Sequence, residues 1–111
     1  MSERKPVRYL LNAPVLTAYG QYQFDGPLSV ERASAVAAQG LVSAVGHPAT
    51  ARLLGRLLCM DVPLSRQSIR MAPGDQALVF RLLERVPEGV VLDDDELADV
   101  PHEFALLTRC R

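Results

Sequence analysis

An α/β protein, with a mixed β-sheet of about five to six strands flanked by three helices, is the fold class this sequence predicts. Short apolar runs alternate with stretches whose apolar residues recur at helical spacing. Glycine, proline and aspartate separate nearly all of these segments, at places where a chain can turn. Of the 111 residues, 49% are hydrophobic, enough for a packed core and too many for a disordered chain. That length suits one domain, with 1–6 as a flexible N-terminus.

The elements follow in order. Val7 to Asn12 is a compact apolar run with one aromatic and reads as a buried strand, broken at Asn12-Ala13-Pro14. Tyr22 and Phe24 mark a second, short strand that ends in a turn at Asp25-Gly26-Pro27. Ser29 is placed to cap a helix from about Val30 to Gln39, with Gly40 in the usual terminating position. Leu41 to Val45 is a third strand and Gly46 a tight turn. Pro48 then opens a second helix that runs to about Met60, since the proline N–H would have lacked a partner in the first turn anyway. Leu53, Leu54, Leu57, Leu58 and Met60 form its buried side, while Arg52 and Arg56 point elsewhere. Arg66 to Met71 and Gln76 to Leu83 flank Ala72-Pro73-Gly74-Asp75 and read as a hairpin. Asp93 to Asp95 charge the start of a short helix ending near Val100, and Glu103 to Thr108 is the last strand. The order is β-β-α-β-α-β-β-α-β.

Composition excludes several function classes. The formal net charge is −1 and the isoelectric point about 6.1. A protein that coats DNA or RNA would show a basic excess, so bulk nucleic acid is not an expected partner. No apolar run approaches the ~18 residues of a membrane span. Cys59 and Cys110 have no metal-ligand spacing and read as reduced thiols of a cytoplasmic protein. Neither His47 nor His102 has a nearby Cys or His partner, so no metal site and no cofactor is expected. A P-loop, a dinucleotide fingerprint and a nucleophile elbow are all missing from the sequence.

The chemistry-bearing stretch is Ser43-Ala44-Val45-Gly46-His47-Pro48-Ala49-Thr50. His47 sits where unpaired backbone N–H groups and the positive helix end can hold a phosphate. An imidazole there can donate a proton near neutral pH; the ordinary alternative is a histidine that merely caps its helix. Arg85-Val86-Pro87-Glu88-Gly89 places an arginine and a glutamate near each other in what is otherwise an ordinary exposed loop. Asn12, at a strand end, has a turn hydrogen bond as its ordinary role. His102 reads as a surface residue, and the run Asp93-Asp94-Asp95-Glu96 as a solvated helix start complementing the dipole.

Four motifs stand in order: Tyr9-Leu10-Leu11-Asn12-Ala13, then Ser43 to His47 with Thr50, then Arg66, then Arg85 to Gly89. Together, from about Val7 to Thr108, they resemble the viral anti-CRISPR ring nucleases and their bacterial relatives, small proteins first seen in archaeal viruses. The resemblance implies a homodimer that binds cyclic tetra-adenylate, the messenger of type III CRISPR defence, across its two-fold axis. It also implies metal-free cleavage of that ring to linear di-adenylate. By the same resemblance His47, Arg85 and Glu88 are the catalytic residues, and Asn12, Gly46, Thr50 and Arg66 bind the substrate. Some viral members carry a serine soon after the asparagine motif, where this chain has Pro14-Val15, with Thr17 close by. The competing expectations are a non-catalytic binder of such a ring, as a sponge or sensor, and a small DNA-binding regulator. A sponge would not need a proton donor, and the weakly acidic charge disfavours the regulator.

Overall fold

The computed structural model describes residues 5–13, 18–84 and 92–111. Among these the chain forms β1 (Arg8–Leu11), β2 (Tyr22–Leu28), α1 (Val30–Ala37), β3 (Val42–Ser43), α2 (Pro48–Leu58), β4 (Gln76–Leu82), α3 (Asp94–Asp99) and β5 (His102–Arg109). The strands make one mixed sheet in the order β2-β5-β4-β1-β3. β1 runs parallel to both β3 and β4, with Tyr9 opposite Val42 and Leu10 opposite Leu78. β5 is antiparallel to β4 and to β2.

β4 sits at the centre because it can be buried on both faces. Ala77, Leu78, Val79 and Phe80 are all inaccessible to solvent, the near-continuous apolar run expected of such a strand. Alternation along the strands divides the core in two. Leu10, Leu78, Phe80 and Phe104 join Val45 and the helical residues Ala33, Ala37, Ala51, Leu53, Leu54, Leu58 and Leu97 on one face. Leu11, Ala44, Met71, Ala77, Val79 and Leu107 form the other cluster, with no helical residue among them. Phe80 and Phe104 meet edge to face at a centroid distance of 5.6 Å, a favoured aromatic geometry.

The helix ends are specified locally. The Ser29 hydroxyl accepts from the Arg32 N–H at 3.2 Å. α1 stops at Ala37, before the expected Gln39, and Gly40 takes the positive φ of 96° that the exit requires. Asp93 and Glu96 form a reciprocal capping box at α3. α2 carries Arg52 and Arg56 on a solvent-facing side, where Arg52 grips Asp94 with Nε donating to both carboxylate oxygens at 2.9 and 3.1 Å. This hydrogen-bonded guanidinium holds the Asp94 carboxyl below its ordinary value.

Three expectations from sequence need correction. Arg66 to Met71 is not a strand: 61–70 carry no regular secondary structure. A strand has two edges, and β4 gives both of its edges to β1 and β5, so no hairpin partner can add beside it. Secondly, β2 does not end at Asp25-Gly26-Pro27 but continues through it to Leu28, with a register shift against β5 between Asp25 and Leu28. Proline is tolerated because β2 is an edge strand. Gly26 suits a close approach, since an added Cβ would lie a tight 3.1 Å from Ala105 Cβ. Thirdly, His102 is half-buried, its ring centroid 5.2 Å from that of Phe80 and its Nδ1 2.8 Å from the Val100 carbonyl oxygen. Residues 1–4 of the expected flexible N-terminus lie outside the described residues, and Lys5 and Pro6 are exposed. No helix among the described residues is long and apolar enough to cross a membrane.

Candidate functional site at the carboxyl ends of the parallel strands

β3, β1 and β4 run parallel and end on the same side of the sheet. The crevice outside such carboxyl ends is the usual binding place in open α/β sheets. Asn12 directly follows β1, and Gly46-His47 follows β3. Arg85 and Glu88 come after β4 in the chain, but both lie outside the described residues, as do Pro14, Val15 and Thr17.

His47 is the N-cap residue of α2, in an extended conformation (φ −121°, ψ 120°), with Pro48 opening the helix. Its backbone does the capping work: the His47 carbonyl accepts from the Ala51 N–H at 2.9 Å. Its imidazole makes no capping hydrogen bond and is exposed. The first turn of α2 carries no acidic side chain, so nothing there opposes an anion drawn by the helix dipole. A solvent-facing imidazole at that end can meet a phosphate and give it, or its leaving oxygen, a proton.

Arg66 reaches the same place from the irregular segment. Its Nε donates to the Gly46 carbonyl at 2.9 Å. A Cβ at position 46 would stand 3.0 Å from Arg66 Cγ, so glycine lets the arginine stem lie against the backbone. Gly46, His47 and Arg66 are therefore gathered at the head of α2. Thr50 is also in the first turn but only 7% exposed, so its side chain faces the interior. Asn12 is exposed and borders a cavity of about 200 Å³ that it shares with Ala44, Gln67, Ser68 and Ile69.

Other polar residues fasten the fold in ways the sequence reading missed, Ser43 and Gln67 beside the site, Asp75 and Arg109 at the opposite, amino ends of β1 and β4. The Ser43 hydroxyl donates to the Pro63 carbonyl at 2.6 Å, and Gln67 Nε2 donates to the Ser43 carbonyl at 2.9 Å. Asp75, fully buried, accepts from the Val7 N–H at 2.9 Å and the Ala72 N–H at 2.8 Å. It ties the start of β1 to the turn before β4. Arg109 reaches across the molecule to the carbonyls of Met71 and Tyr19. A serine and a glutamine in a polar stretch give no sequence signal of such partners. Aspartate in a Pro-Gly-Asp turn gives a partial one.

Fold and site define a small mixed α/β protein with an exposed histidine at a helix start, beyond the carboxyl ends of parallel strands. The chain belongs to the STIV B116-like family, whose family model matches residues 8–104. It is similar to the uncharacterized protein ORF116 of Acidianus filamentous virus 1, with 32% identity over 93 residues covering 80% of each chain. It also resembles the uncharacterized protein YddF of Bacillus subtilis, at 37% identity over 67 residues, or 60% of this chain and 62% of that one. Among solved structures, B116 of Sulfolobus turreted icosahedral virus shares the fold. The TM-score is 0.70 at 24% identity, covering 93% of this chain and 99% of that one.

Proposed function

We propose that the protein is a metal-independent ring nuclease that opens cyclic tetra-adenylate and releases linear di-adenylate, working as a homodimer. The observation that carries this reading is the exposed His47 imidazole at the head of α2, unused as a cap, with Arg66 drawn onto the adjoining Gly46 carbonyl. The substrate class comes from the resemblance that the Asn12, His47, Arg66 and Arg85–Glu88 motifs carry.

In this reading the ribose 2′-oxygen attacks its neighbouring phosphorus, the phosphorus–O5′ bond breaks, and a 2′,3′-cyclic phosphate and a 5′-hydroxyl result. Protonated His47 gives its proton to the departing O5′. General acid catalysis of that kind contributes about 10²–10⁴ in rate. Arg85 offers a two-pronged fork to the non-bridging oxygens, where negative charge grows. Glu88 is given the role of orienting Arg85 rather than of base, because an ionised carboxylate is a weak base toward a ribose hydroxyl; the 2′-hydroxyl proton then passes to solvent. Arg66 and Asn12 hold the ring so that the 2′-oxygen lies in line with the leaving group.

The test is incubation of the purified protein with cyclic tetra-adenylate in excess chelator, with products resolved over time. Linear adenylates ending in a cyclic phosphate are expected. Intact ring under enzyme excess removes the reading, and cleavage that needs added magnesium or manganese removes the mechanism.

A further inference from the structure

We propose that Pro63–Gln67 is a strap that fixes the position of the His47 imidazole, with Gln67 as a positioning residue. The catalytic half of this inference rests on the reading of His47 as the acid; the geometric half stands on the structure alone.

The imidazole is held by little of its own. It makes no capping hydrogen bond, so the backbone on either side sets where the ring can reach. On the far side that backbone is α2, anchored in the core through Ala51, Leu53, Leu54 and Leu58. On the near side is the short run 43–46, which leaves the sheet after the Ala44 N–H donates to the Leu10 carbonyl at 2.9 Å. Beyond that bond the run is fastened to the strap. The Ser65 N–H donates to the Val45 carbonyl at 2.9 Å, Arg66 Nε to the Gly46 carbonyl at 2.9 Å and Gln67 Nε2 to the Ser43 carbonyl at 2.9 Å. The Ser43 hydroxyl closes the other end on the Pro63 carbonyl at 2.6 Å.

Two of the three carbonyls on this outer side are thus met by long side chains where an ordinary sheet would supply backbone N–H groups. Such a latch can be cut without removing a strand. Gln67 is exposed, so water can replace its amide at the Ser43 carbonyl, and the loss of stability should be small. Misplacing a catalytic group by about 1 Å, in contrast, can cost ~10²-fold in rate. Gln67 is the informative member because Arg66 is also placed in the substrate grip. Gln67 borders the cavity beside Asn12 as well, so the experiment has to separate positioning from ligand contact.

The test uses the full chain with Gln67→Ala, Gln67→Glu and Ser43→Ala. The ionised glutamate keeps the length of the side chain but cannot donate to the Ser43 carbonyl. The chain has two histidines, so their ring carbon–proton resonances can be followed individually without substrate. In each variant the His47 signal should move or broaden while that of His102 stays in place. Single-turnover cleavage of cyclic tetra-adenylate should fall roughly 10-fold or more, with ring affinity within ~3-fold of the parent. The double variant of Gln67 and Ser43 should lose less than the two single losses combined, since both cut one strap. An unmoved His47 resonance in all variants overturns the strap, as does parent-like behaviour of Gln67→Glu. Affinity falling in step with rate makes Gln67 a ligand contact and overturns its positioning role. A His47 resonance that moves in the variants while the parent protein cleaves nothing keeps the strap and removes the nuclease reading.

Discussion

His47 was legible in the sequence because its signal is local: a glycine turn, then a proline suited to the first turn of the helical pattern that follows. Those residue types favour a helix start at that point, which puts the preceding side chain beside unpaired N–H groups. Arg66 gave no such signal, since its place depends on a backbone carbonyl brought near by the path of the chain. The same holds for Gln67 and Ser43. In the proposed function His47 is a general acid and acts in the transition state, so His47→Ala should remove cleavage and leave ring affinity largely unchanged. The expected loss is at least about 10²-fold, or roughly 3 kcal/mol of barrier, read under single-turnover conditions. A His47→Ala protein that cleaves at the parent rate would reduce the residue to a backbone cap.

At the scale of elements, periodicity placed the helices well, and all three lie where the pattern puts them, within a few residues. Strands were harder. Arg66 to Met71 has the composition of one, but pairing is decided by which edges are open, and that is a property of the whole sheet. β2 shows the converse, because an edge position permits the Pro27 that looked like a terminator. Asp75 belongs to this scale too, since its carboxylate matters only once β1 and the turn before β4 are side by side. Asp75→Ala leaves the Val7 and Ala72 N–H groups without that acceptor and should cost about 1–3 kcal/mol, measurable by urea unfolding. The α2–α3 clasp yields a pH effect. Asp94 has a lowered pKa because of its hydrogen bond with Arg52. Its contribution is therefore complete above the unfolded carboxylate value and is lost as pH falls through the lower folded one. Measured against the intrinsic rate at each pH, hydrogen exchange in α3 should lose protection, and so run relatively faster, in acid in the parent protein. Asp94→Asn should show the faster exchange already at neutral pH, with a flatter acid response; identical profiles would count against the clasp.

At the scale of the whole molecule, one chain brings one His47 to its site, whereas a four-fold ring has phosphates on opposite sides. Two copies related by a two-fold axis would present two acids to one ring in equivalent positions, so the proposed release of di-adenylate calls for a dimer. Light scattering should show a dimer, and titration should saturate at one ring per two chains. A monomer that binds one ring would contradict this. Mixed dimers carry the argument further. When the parent chain is mixed with His47→Ala, purified heterodimers hold a single acid per ring, whichever subunit's phosphate it serves. They should open the ring once, so that linear tetra-adenylate accumulates before any di-adenylate appears. If a heterodimer instead forms di-adenylate as promptly as the parent, the two cuts do not need two acids, and the symmetry argument for the dimer fails with them.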